Sequence, residues 1–294
     1  MDMLQCTLCP RQCKANRTIS TGFCGGGNQI KIARAALHFW EEPCISGANG
    51  SGTVFFSGCT LKCCFCQNYK ISAENFGKNI SVERLAQIFL ELQEQKAENI
   101  NLVNPTHYVP LIIQALDMVK GKLNIPIVYN TGGYECVDTL KMLEGYVDIY
   151  LPDLKYKDSN ISQKYSKAKD YFDVATKAIK YMYEQVGGLE YNGDILKKGL
   201  IIRHLVLPNN RNDSIAVLDW IADNFDKDKI LISLMSQYTP FYKCTEHPEI
   251  NRRVSTFEYN KVLEHAQKLG LKGFMQEKSS AKEEYTPDFD LSGI

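Results

Sequence analysis

The sequence has no excess of charge of either sign, no long hydrophobic run and no recognisable targeting signal. Its 294 residues include 34 Lys and Arg and 34 Asp and Glu, so the formal net charge is zero. Nucleic-acid-binding proteins usually carry a basic excess, so nucleic acid is not an expected partner. No run of 18 or more apolar residues occurs, and Met1–Cys6 lacks the pattern of a signal peptide. We therefore expect a cytoplasmic protein that does not insert into a membrane.

Cysteine, in contrast, is abundant and lies mostly near the N-terminus. Only Cys136 and Cys244 of the eleven cysteines fall beyond residue 66. A chain of this size without a targeting signal does not fit the pattern of a small secreted domain held by disulfides. Clustered cysteines in a cytosolic chain are typical of metal ligands. The sequence therefore predicts metal chemistry in its N-terminal part.

From residue 51 onward, short β-rich runs alternate with segments of helical periodicity. The predicted strands are 53–57, 101–103, 125–129, 147–151, 200–207 and 230–235, and the predicted helices are 81–92, 111–119, 136–143, 160–186, 214–225 and 255–269. About six βα units without a linker predict an α/β fold with a parallel sheet, here a partial (β/α)6 barrel over 51–294. We expect 1–50 to form an irregular, Cys-rich metal-binding segment and 188–199 to form a hairpin or a loop insertion.

Three cysteines follow the first predicted strand in a C-x3-C-x2-C pattern, at Cys59, Cys63 and Cys66. Cubane iron–sulfur clusters are normally held by four thiolates, so three cysteines leave one iron free to bind a substrate. The alternative is a zinc site or a set of buried free thiols, although zinc prefers two C-x2-C pairs. Cys64 could replace Cys63 as a ligand on spacing alone, but it is more simply explained as a packed thiol.

This motif resembles the signature of the radical S-adenosylmethionine (SAM) superfamily, with Phe65 in the usual aromatic position before the third cysteine. The segments 6–13, 22–25 and 40–47 further resemble the branch described as similar to pyruvate formate-lyase activating enzyme. The resemblance extends over essentially the whole chain. It implies that the predicted barrel is a radical-SAM barrel and that the protein is a radical SAM oxidoreductase.

The resemblance also implies the cofactors and partners. A [4Fe–4S] cluster on Cys59, Cys63 and Cys66 would bind SAM, and an electron from a low-potential donor, flavodoxin or ferredoxin, would cleave SAM to a 5′-deoxyadenosyl radical. The implied substrate is a protein or peptide, such as a backbone glycine of a partner enzyme. A second hypothesis keeps the radical chemistry but assigns it to a small molecule or nucleotide. A third, from another class, is a zinc-stabilised scaffold without catalysis.

Polar residues at the predicted strand ends are the remaining candidates, because chemistry in such folds gathers there. The resemblance places Lys155 among the catalytic residues, where it could meet a carboxylate. The candidate contacts to SAM are Phe65, Asn68, Thr106, His107, Asn130, Thr131, Asp153 and Arg203. In addition, Gln237 and Tyr238 could line the opening to the substrate.

Several of these candidates have simpler structural explanations. The activating enzymes have an acidic motif where this chain has Thr106, which could instead cap a strand-to-helix turn. Asp153 could form an ordinary salt bridge, and Asn130 stands where those enzymes tend to have an acid. Arg203, a charge inside an apolar strand, needs either the carboxylate of SAM or a structural carboxylate as its partner. His204 is expected to face the opposite side of that strand.

A second group of cysteines, Cys6, Cys9, Cys13 and Cys24, follows a C-x2-C-x3-C-x10-C pattern. Four thiolates suffice for a zinc ion or for a second [4Fe–4S] cluster, and the neighbouring glycines suit tight turns around a metal. The spacing does not decide between the two metals, and reduced, partly buried thiols are a further alternative. Cys44 is a substitute ligand.

Overall fold

The computed structural model describes residues 4–275 and 287–294. In this part of the chain, ten strands form one mixed sheet. The strands are β1 (Ile30–His38), β2 (Ser51–Phe56), β3 (Lys78–Ile80), β4 (Ile100–Val103), β5 (Ile127–Thr131), β6 (Ile149–Pro152), β7 (Glu190–Asn192), β8 (Ile195–Leu205), β9 (Leu231–Met235) and β10 (Gly273–Met275). Their order is β10-β9-β8-β6-β5-β4-β2-β1-β3, and β7 pairs with β8.

Nine helices accompany the described strands. They are α1 (Pro43–Ser46), α2 (Tyr69–Ser72), α3 (Val82–Glu94), α4 (Val109–Met118), α5 (Val137–Lys141), α6 (Ser159–Ser166), α7 (Tyr171–Val186), α8 (Arg211–Asn224) and α9 (Thr256–Lys268). Short 3₁₀ turns occur at Thr106–Tyr108 and Cys244–Glu246. Within the described residues, none of the helices combines the length and apolarity needed to cross a bilayer.

The expected partial barrel is confirmed. Strands β2, β4, β5, β6, β8, β9 and β10 pair in parallel, and a helix follows each of the first six. Within residues 4–275 and 287–294, the strands at the two ends of the sheet, β10 and β3, do not pair with each other, so the described strands form a barrel that is open on one side. The six predicted βα units are therefore present, with β10 as an additional parallel strand.

Helix α3 shows how local sequence builds these units. The side chain of Ser81 accepts a hydrogen bond from the backbone N–H of Arg84 and so caps the first turn. Leu85, Phe89 and Leu92 then recur at helical spacing and are buried against the sheet. Burial of this apolar stripe, rather than helix propensity alone, is what stabilises the helix.

The structure differs from the sequence-based expectation in two places. Residues 1–50 are not irregular throughout, because Ile30–His38 form β1, which pairs antiparallel with β2. The helical region at 160–186 is two helices, because Lys167 adopts a left-handed conformation (φ 54°) that ends α6. Residues 188–199 contain the expected hairpin, formed by β7 and the start of β8.

The C-terminal residues lie along β1. Strand β3 pairs only with the first three residues of β1, and the next part of that edge bonds to the tail. The N–H of Leu291 donates to the carbonyl of Ala33, at 3.1 Å, and the N–H of Ala35 donates to the carbonyl of Ser292, at 2.9 Å. Phe289 packs edge-on against Phe55, with 5.5 Å between ring centroids. The tail thus covers part of one sheet edge.

The interior of the barrel has an apolar floor. Side chains from β5, β6 and β8 meet the short helix α1 there. This cluster consists of Cys44, Ile45, Val128, Ile149, Leu151, Leu196 and Ile201. Because the floor is filled, open space is left at the other end of the barrel, where the strands end.

Candidate active site

A cleft lies at the carboxyl ends of the parallel strands. It consists of two adjoining cavities of about 140 Å³ and 220 Å³. Both cavities are lined by Cys63, Cys66, Asn68, Asp153, Lys155 and Arg203, and the smaller one also by Cys59, Asn130 and Thr131. The structure therefore brings together the three-cysteine motif and most of the polar strand-end residues that the sequence singles out.

Each sulfur of the three-cysteine motif accepts one hydrogen bond. The backbone N–H of Leu61 donates to Cys59 Sγ at 3.3 Å. The hydroxyl of Ser166 donates to Cys63 Sγ at 2.9 Å, and the hydroxyl of Ser72 donates to Cys66 Sγ at 3.2 Å. Hydrogen bonds of this kind stabilise thiolates and tune the potentials of iron–sulfur clusters.

The donor set fits a cubane cluster better than a single ion. Among residues 4–275 and 287–294, no three His, Cys, Asp or Glu side chains are placed so that they could hold one metal ion. A cubane attaches each thiolate to a different iron, so its ligands need not converge on one point. No fourth cysteine is among the described residues that line the cleft, which leaves one iron position open.

Burial makes a cationic partner necessary for these thiolates. It raises the pKa of Cys66 to about 12 and also raises the pKa of Cys63. At neutral pH both sulfurs would therefore be protonated if no cation faced them. Iron held by these sulfurs would provide that positive charge, and the Lys155 ammonium acts in the same direction on Cys63.

A network of charges forms the side of the cleft opposite the cysteines. Arg203 donates to Asp153 at 2.9 Å and to the side-chain oxygen of Asn130 at 2.6 Å, and it lies 3.5 Å from Glu41. Lys155 forms a second ion pair with Asp153. Burial would raise the pKa of Asp153, but Arg203 and Lys155 outweigh it and hold that pKa below its ordinary value.

The model of the Radical SAM superfamily matches residues 53–221, which include the three-cysteine motif and the strand ends around the cleft. The chain belongs to the radical SAM superfamily. Membership implies a [4Fe–4S] cluster, SAM binding and radical chemistry begun by reductive cleavage of SAM, with a reductant to supply the electron.

A curated relative and two solved structures are similar to this radical SAM protein. The uncharacterized protein MJ0674 of Methanocaldococcus jannaschii is 33% identical over 280 residues, which cover 90% of this chain and 75% of the relative. Streptococcus suis SuiB bound to its precursor peptide SuiA has a TM-score of 0.52 and 17% identity, over 74% of this chain and 46% of SuiB. Methylornithine synthase (PylB) has a TM-score of 0.50 and 16% identity, over 80% of this chain and 62% of PylB. The chain spans about half the length of SuiB, and these two likenesses show the fold alone.

Cys64 does not face the cleft of the radical SAM barrel. Its backbone N–H donates to the carbonyl of Tyr165, at 2.9 Å. Its thiol is buried and lies close enough to Cys244 for the two to interact electrostatically. This placement favours Cys63 over Cys64 as the middle cysteine of the cluster motif.

Thr106 and His107, two of the candidate contacts to SAM, do not reach the cleft. Thr106 is buried and its hydroxyl donates to Glu135, at 2.6 Å. The His107 ring bonds to the carbonyl of Ser57, at 2.7 Å, and burial lowers the pKa of His107 to about 4. The chain after β4 turns immediately into a 3₁₀ turn, which directs both side chains into the protein. The expectation that they contact SAM is therefore not supported by their positions.

The aromatic candidate Phe65 lies in the wall of the larger cavity, together with Gln237 and Tyr238. Its ring packs edge-on against Tyr156 and Tyr238, with 6.5 Å and 5.8 Å between centroids. Asn68 lines both cavities. His204 points away from the cleft, and its ring bonds to the carbonyl of Leu154, at 2.7 Å.

Two acids beneath the cleft, Glu41 (side chain 11% exposed) and the buried Glu42, were missed by sequence reasoning. Glu41 accepts hydrogen bonds from the side chains of Asn101, at 3.0 Å, and Asn130, at 3.4 Å, in addition to its ion pair with Arg203. Glu42 is buried, and its Oε2 has no hydrogen-bond partner in the part of the chain that the structure describes. Burial raises the pKa of both carboxyls. The available signal was the pair of adjacent acids directly before Pro43, in a segment otherwise poor in charge.

The N-terminal cysteines lie beside the cluster motif. Cys6, Cys9 and Cys24 are buried, and Cys13 is exposed. The carbonyl of Cys24 accepts a hydrogen bond from the N–H of Cys59, at 3.1 Å. Cys44, the expected substitute ligand, belongs instead to the apolar floor of the barrel with Val128 and Ile149, among others.

Proposed function

We propose that this radical SAM protein abstracts a hydrogen atom from a protein or peptide substrate, as enzymes of the activating-enzyme branch do. The observation that carries the proposal is the position of the three hydrogen-bonded cysteine sulfurs, which share one cleft with the charged strand-end residues Asp153, Lys155 and Arg203. The resemblance to that branch in the segments around Cys6, Cys24 and Cys44 supports the choice of substrate.

Different residues of the cleft bind the cluster and SAM in this proposal. Cys59, Cys63 and Cys66 hold the cluster, and Lys155 and Arg203 provide the positive charge that a carboxylate of SAM needs. When bound, the cluster and SAM supply one-electron cleavage to methionine and a 5′-deoxyadenosyl radical. The protein's own contribution is to orient SAM and to keep water away from the radical.

Neutral groups complete the SAM site in this proposal. Phe65 offers an aromatic face at the wall of the larger cavity, which suits an adenine ring. Asn68 presents its amide group to both cavities and can form hydrogen bonds with a nucleoside. Asn130 lines only the smaller cavity, where its amide already bonds to Arg203 and Glu41. The hydroxyl of Thr131 is already committed to Glu135, so its role is to fix the shape of the strand end.

The open side of the barrel favours a protein or peptide as the substrate. Strands β10 and β3 leave the sheet unclosed, and the larger cavity extends to Thr239 and Phe241 on the loop after β9. A peptide can enter such a cleft as an extended segment while the rest of the substrate stays outside. SuiB, which shares the fold, has been solved with its precursor peptide bound.

The partly buried charges beside the cleft favour a second candidate function, in which the substrate is a small polar molecule. Glu41, Arg203 and Asp153 form a polar layer that is suited to recognise an amino or carboxylate group. In either case the radical chemistry requires a low-potential electron donor, for which a flavodoxin or a ferredoxin is the proposed partner. The two functions differ in the size of the substrate from which the hydrogen atom is abstracted.

The experiment starts with protein reconstituted anaerobically with iron and sulfide. With SAM and dithionite, the parent is expected to form 5′-deoxyadenosine, and the triple variant Cys59→Ala, Cys63→Ala, Cys66→Ala is expected to form none. Cys64→Ala is the matched control, because its thiol lies outside the cleft, and it should retain product formation. If the parent binds the cluster and SAM but makes no 5′-deoxyadenosine, the radical chemistry is refuted for this chain.

The substrate class is tested with an extract from cells grown in deuterated medium. The extract is separated by size, and each fraction is incubated with the reconstituted enzyme. Deuterium in 5′-deoxyadenosine from the macromolecular fraction supports a protein or peptide substrate. Deuterium that comes only from the low-molecular-weight fraction contradicts the proposal and favours the small-molecule function.

A further inference from the structure

Four thiols outside the cluster motif are gathered in the N-terminal segment by its backbone. The N–H of Cys6 donates to Ala15, at 3.1 Å, and the carbonyl of Cys6 accepts from Lys14, at 3.0 Å. The carbonyl of Cys9 accepts from Gln12, also at 3.0 Å. Gln12 and Lys14 have positive φ angles of 44° and 51°. These bonds turn the chain back on itself, so that the backbone of Cys6 lies beside residues 14 and 15, next to Cys13.

Cys24 completes the group. Its sulfur accepts a hydrogen bond from the backbone N–H of Gly26, at 3.3 Å. A Cβ placed on Gly22 would lie 3.1 Å from the sulfur of Cys13 and 3.7 Å from the sulfur of Cys24. The space between these two sulfurs is therefore kept free of side-chain atoms by a glycine. Cys6 and Cys9 are both near enough to Cys24 to interact with it electrostatically.

A buried cation beside these thiols has no acid as its partner. Arg17 is only 3% exposed, and its two terminal nitrogens donate to the backbone carbonyls of His107 and Gly27. Its Nε has no hydrogen-bond partner, and no carboxylate pairs with it, in the described residues. Burying an unpaired guanidinium is costly, so an anion is expected nearby. A centre with four thiolates provides that negative charge, and Arg17 lies close enough to Cys24 to interact with it.

The arrangement of the sulfurs does not fit a single zinc ion. A zinc ion needs all four sulfurs about 2.3 Å from one point, and no three such side chains in the described parts of the chain are placed to hold one ion. The same is true of Cys59, Cys63 and Cys66, the cubane ligands that the family motif provides. We propose that Cys6, Cys9, Cys13 and Cys24 bind a second [4Fe–4S] cluster. This site does not depend on which substrate the enzyme uses.

The proposed second cluster is joined to the first by short connections. The Cys24 carbonyl bonds to the N–H of Cys59, so one hydrogen bond links a ligand residue of each cluster. Arg11, between Cys9 and Cys13, donates to the carbonyls of Thr60, at 2.8 Å, and Ser166, at 3.1 Å. Thr60 belongs to the first cluster's loop, and the Ser166 hydroxyl donates to Cys63. Arg11 therefore ties the N-terminal segment directly to the loop and the helix end that contact the first cluster's cysteines.

The test counts iron and sulfide in the anaerobically reconstituted full-length protein. The parent is expected to hold about eight irons per chain, and both the Cys6→Ser, Cys9→Ser variant and the triple variant of the first cluster are expected to hold about four. Cys44→Ala, which changes a cysteine in the apolar floor, should still hold about eight. Electron paramagnetic resonance of the reduced parent should show two signals, and SAM should change only the one that the triple variant loses.

Three results would overturn this inference: about four irons in the parent, one zinc per chain that the Cys6→Ser, Cys9→Ser variant loses, or full iron in that variant. If that variant does not fold, Cys13→Ser replaces it, because Cys13 is exposed and its loss opens no cavity in the core. Cys13→Ser should then bind about one to four fewer irons than the parent, and unchanged iron contradicts the proposal. A failure to form 5′-deoxyadenosine with eight irons present would refute the proposed function and leave the second site intact.

Discussion

The hydroxyl of Ser166 donates a hydrogen bond to the sulfur of Cys63 across 103 residues of sequence. Ser166 is the last residue of α6, and its hydroxyl also meets that of Tyr156, at 2.7 Å. The bond couples the end of a peripheral helix to a cluster ligand. Hydrogen bonds to cluster sulfurs stabilise the more negative, reduced state and so raise the reduction potential.

Replacing Ser166 with alanine should therefore make the first cluster harder to reduce. Loss of roughly 1 kcal/mol of preferential stabilisation corresponds to a decrease of about 40 mV for one electron. A redox titration followed by electron paramagnetic resonance measures the potential. Ser162→Ala, on the same helix but bonded to the carbonyl of Ser159, is the matched control and should leave the potential unchanged. Equal potentials in parent and Ser166→Ala would show that this bond does not tune the cluster.

The second prediction concerns the pH dependence of stability. Burial raises the pKa of Glu135 to about 7 from its ordinary value of 4.5, although Thr106, Thr131 and Tyr129 donate to its carboxylate. The folded protein thus holds a proton that the unfolded chain releases between these two pH values. The associated stabilisation is complete below pH 4.5 and is lost as the pH rises through 7.

This loss amounts to about 3 kcal/mol in the free energy of unfolding. Glu135→Gln keeps the shape and an acceptor oxygen but does not titrate, so its stability should change less between pH 5 and pH 8. Anaerobic urea unfolding at several pH values compares the two proteins. Parallel profiles would mean that Glu135 does not carry the predicted proton.

The third prediction concerns the charge network beneath the cleft. Arg203→Met leaves Glu41 without its cationic partner and removes one of the two partners of Asp153, so it should destabilise the protein by about 3–5 kcal/mol. Adding Glu41→Gln to that variant removes one uncompensated charge and should recover about 1 kcal/mol or more. Thermal unfolding under anaerobic conditions measures both.

An exposed ion pair provides the control for this series. Arg252 pairs with Glu258 at 2.7 Å, but its side chain is 42% exposed. Arg252→Met should cost no more than about 1 kcal/mol. If Arg203→Met and Arg252→Met lower the free energy of unfolding by similar amounts, burial does not strengthen the Arg203 ion pairs as predicted. The same conclusion follows if the double variant is no more stable than Arg203→Met.

The fourth prediction compares two glycines with the same backbone angle. Gly133 and Gly145 both have φ of 80°, but a Cβ on Gly133 would lie 2.2 Å from the backbone oxygen of Asp153, whereas a Cβ on Gly145 would meet nothing within 4 Å. Gly145→Ala should cost about 1–2 kcal/mol from the backbone angle alone. Gly133→Ala should lower the free energy of unfolding by about 3 kcal/mol or more. It should also weaken SAM binding, because Asp153 must move to make room for the new Cβ. Calorimetric titration with SAM and thermal unfolding separate the two effects.

Much of the fold could be predicted from the sequence, because each βα unit carries its own apolar β-run and its own helical periodicity within a short stretch of residues. Strand β1 was missed because antiparallel pairing with β2 stabilises it, and that pairing is not visible in residues 30–38 alone. The break between α6 and α7 was missed for a related reason. Lys167, a residue with no special preference for a left-handed conformation, ends α6 there.

The candidate site was predictable where one rule applied, namely that chemistry gathers at the ends of parallel strands. This rule located Asp153 and Lys155, whereas Arg203 was found as a charge inside an apolar strand that needs a partner. It did not give the direction of each side chain, so Thr106 was assigned to SAM although its hydroxyl faces Glu135. Glu41 could not be found in this way, because its contact with Arg203 spans 162 residues.

The tail along β1 also has a consequence for how copies of this chain behave toward one another. An uncovered strand edge offers a row of free N–H and C=O groups to any neighbouring polypeptide, which invites self-association. Leu291 and Ser292 occupy such groups at Ala33 and Ala35, where β3 no longer does. Residues 291 and 292 therefore leave fewer free backbone groups on this edge for another polypeptide to pair with, although they form no strand of their own.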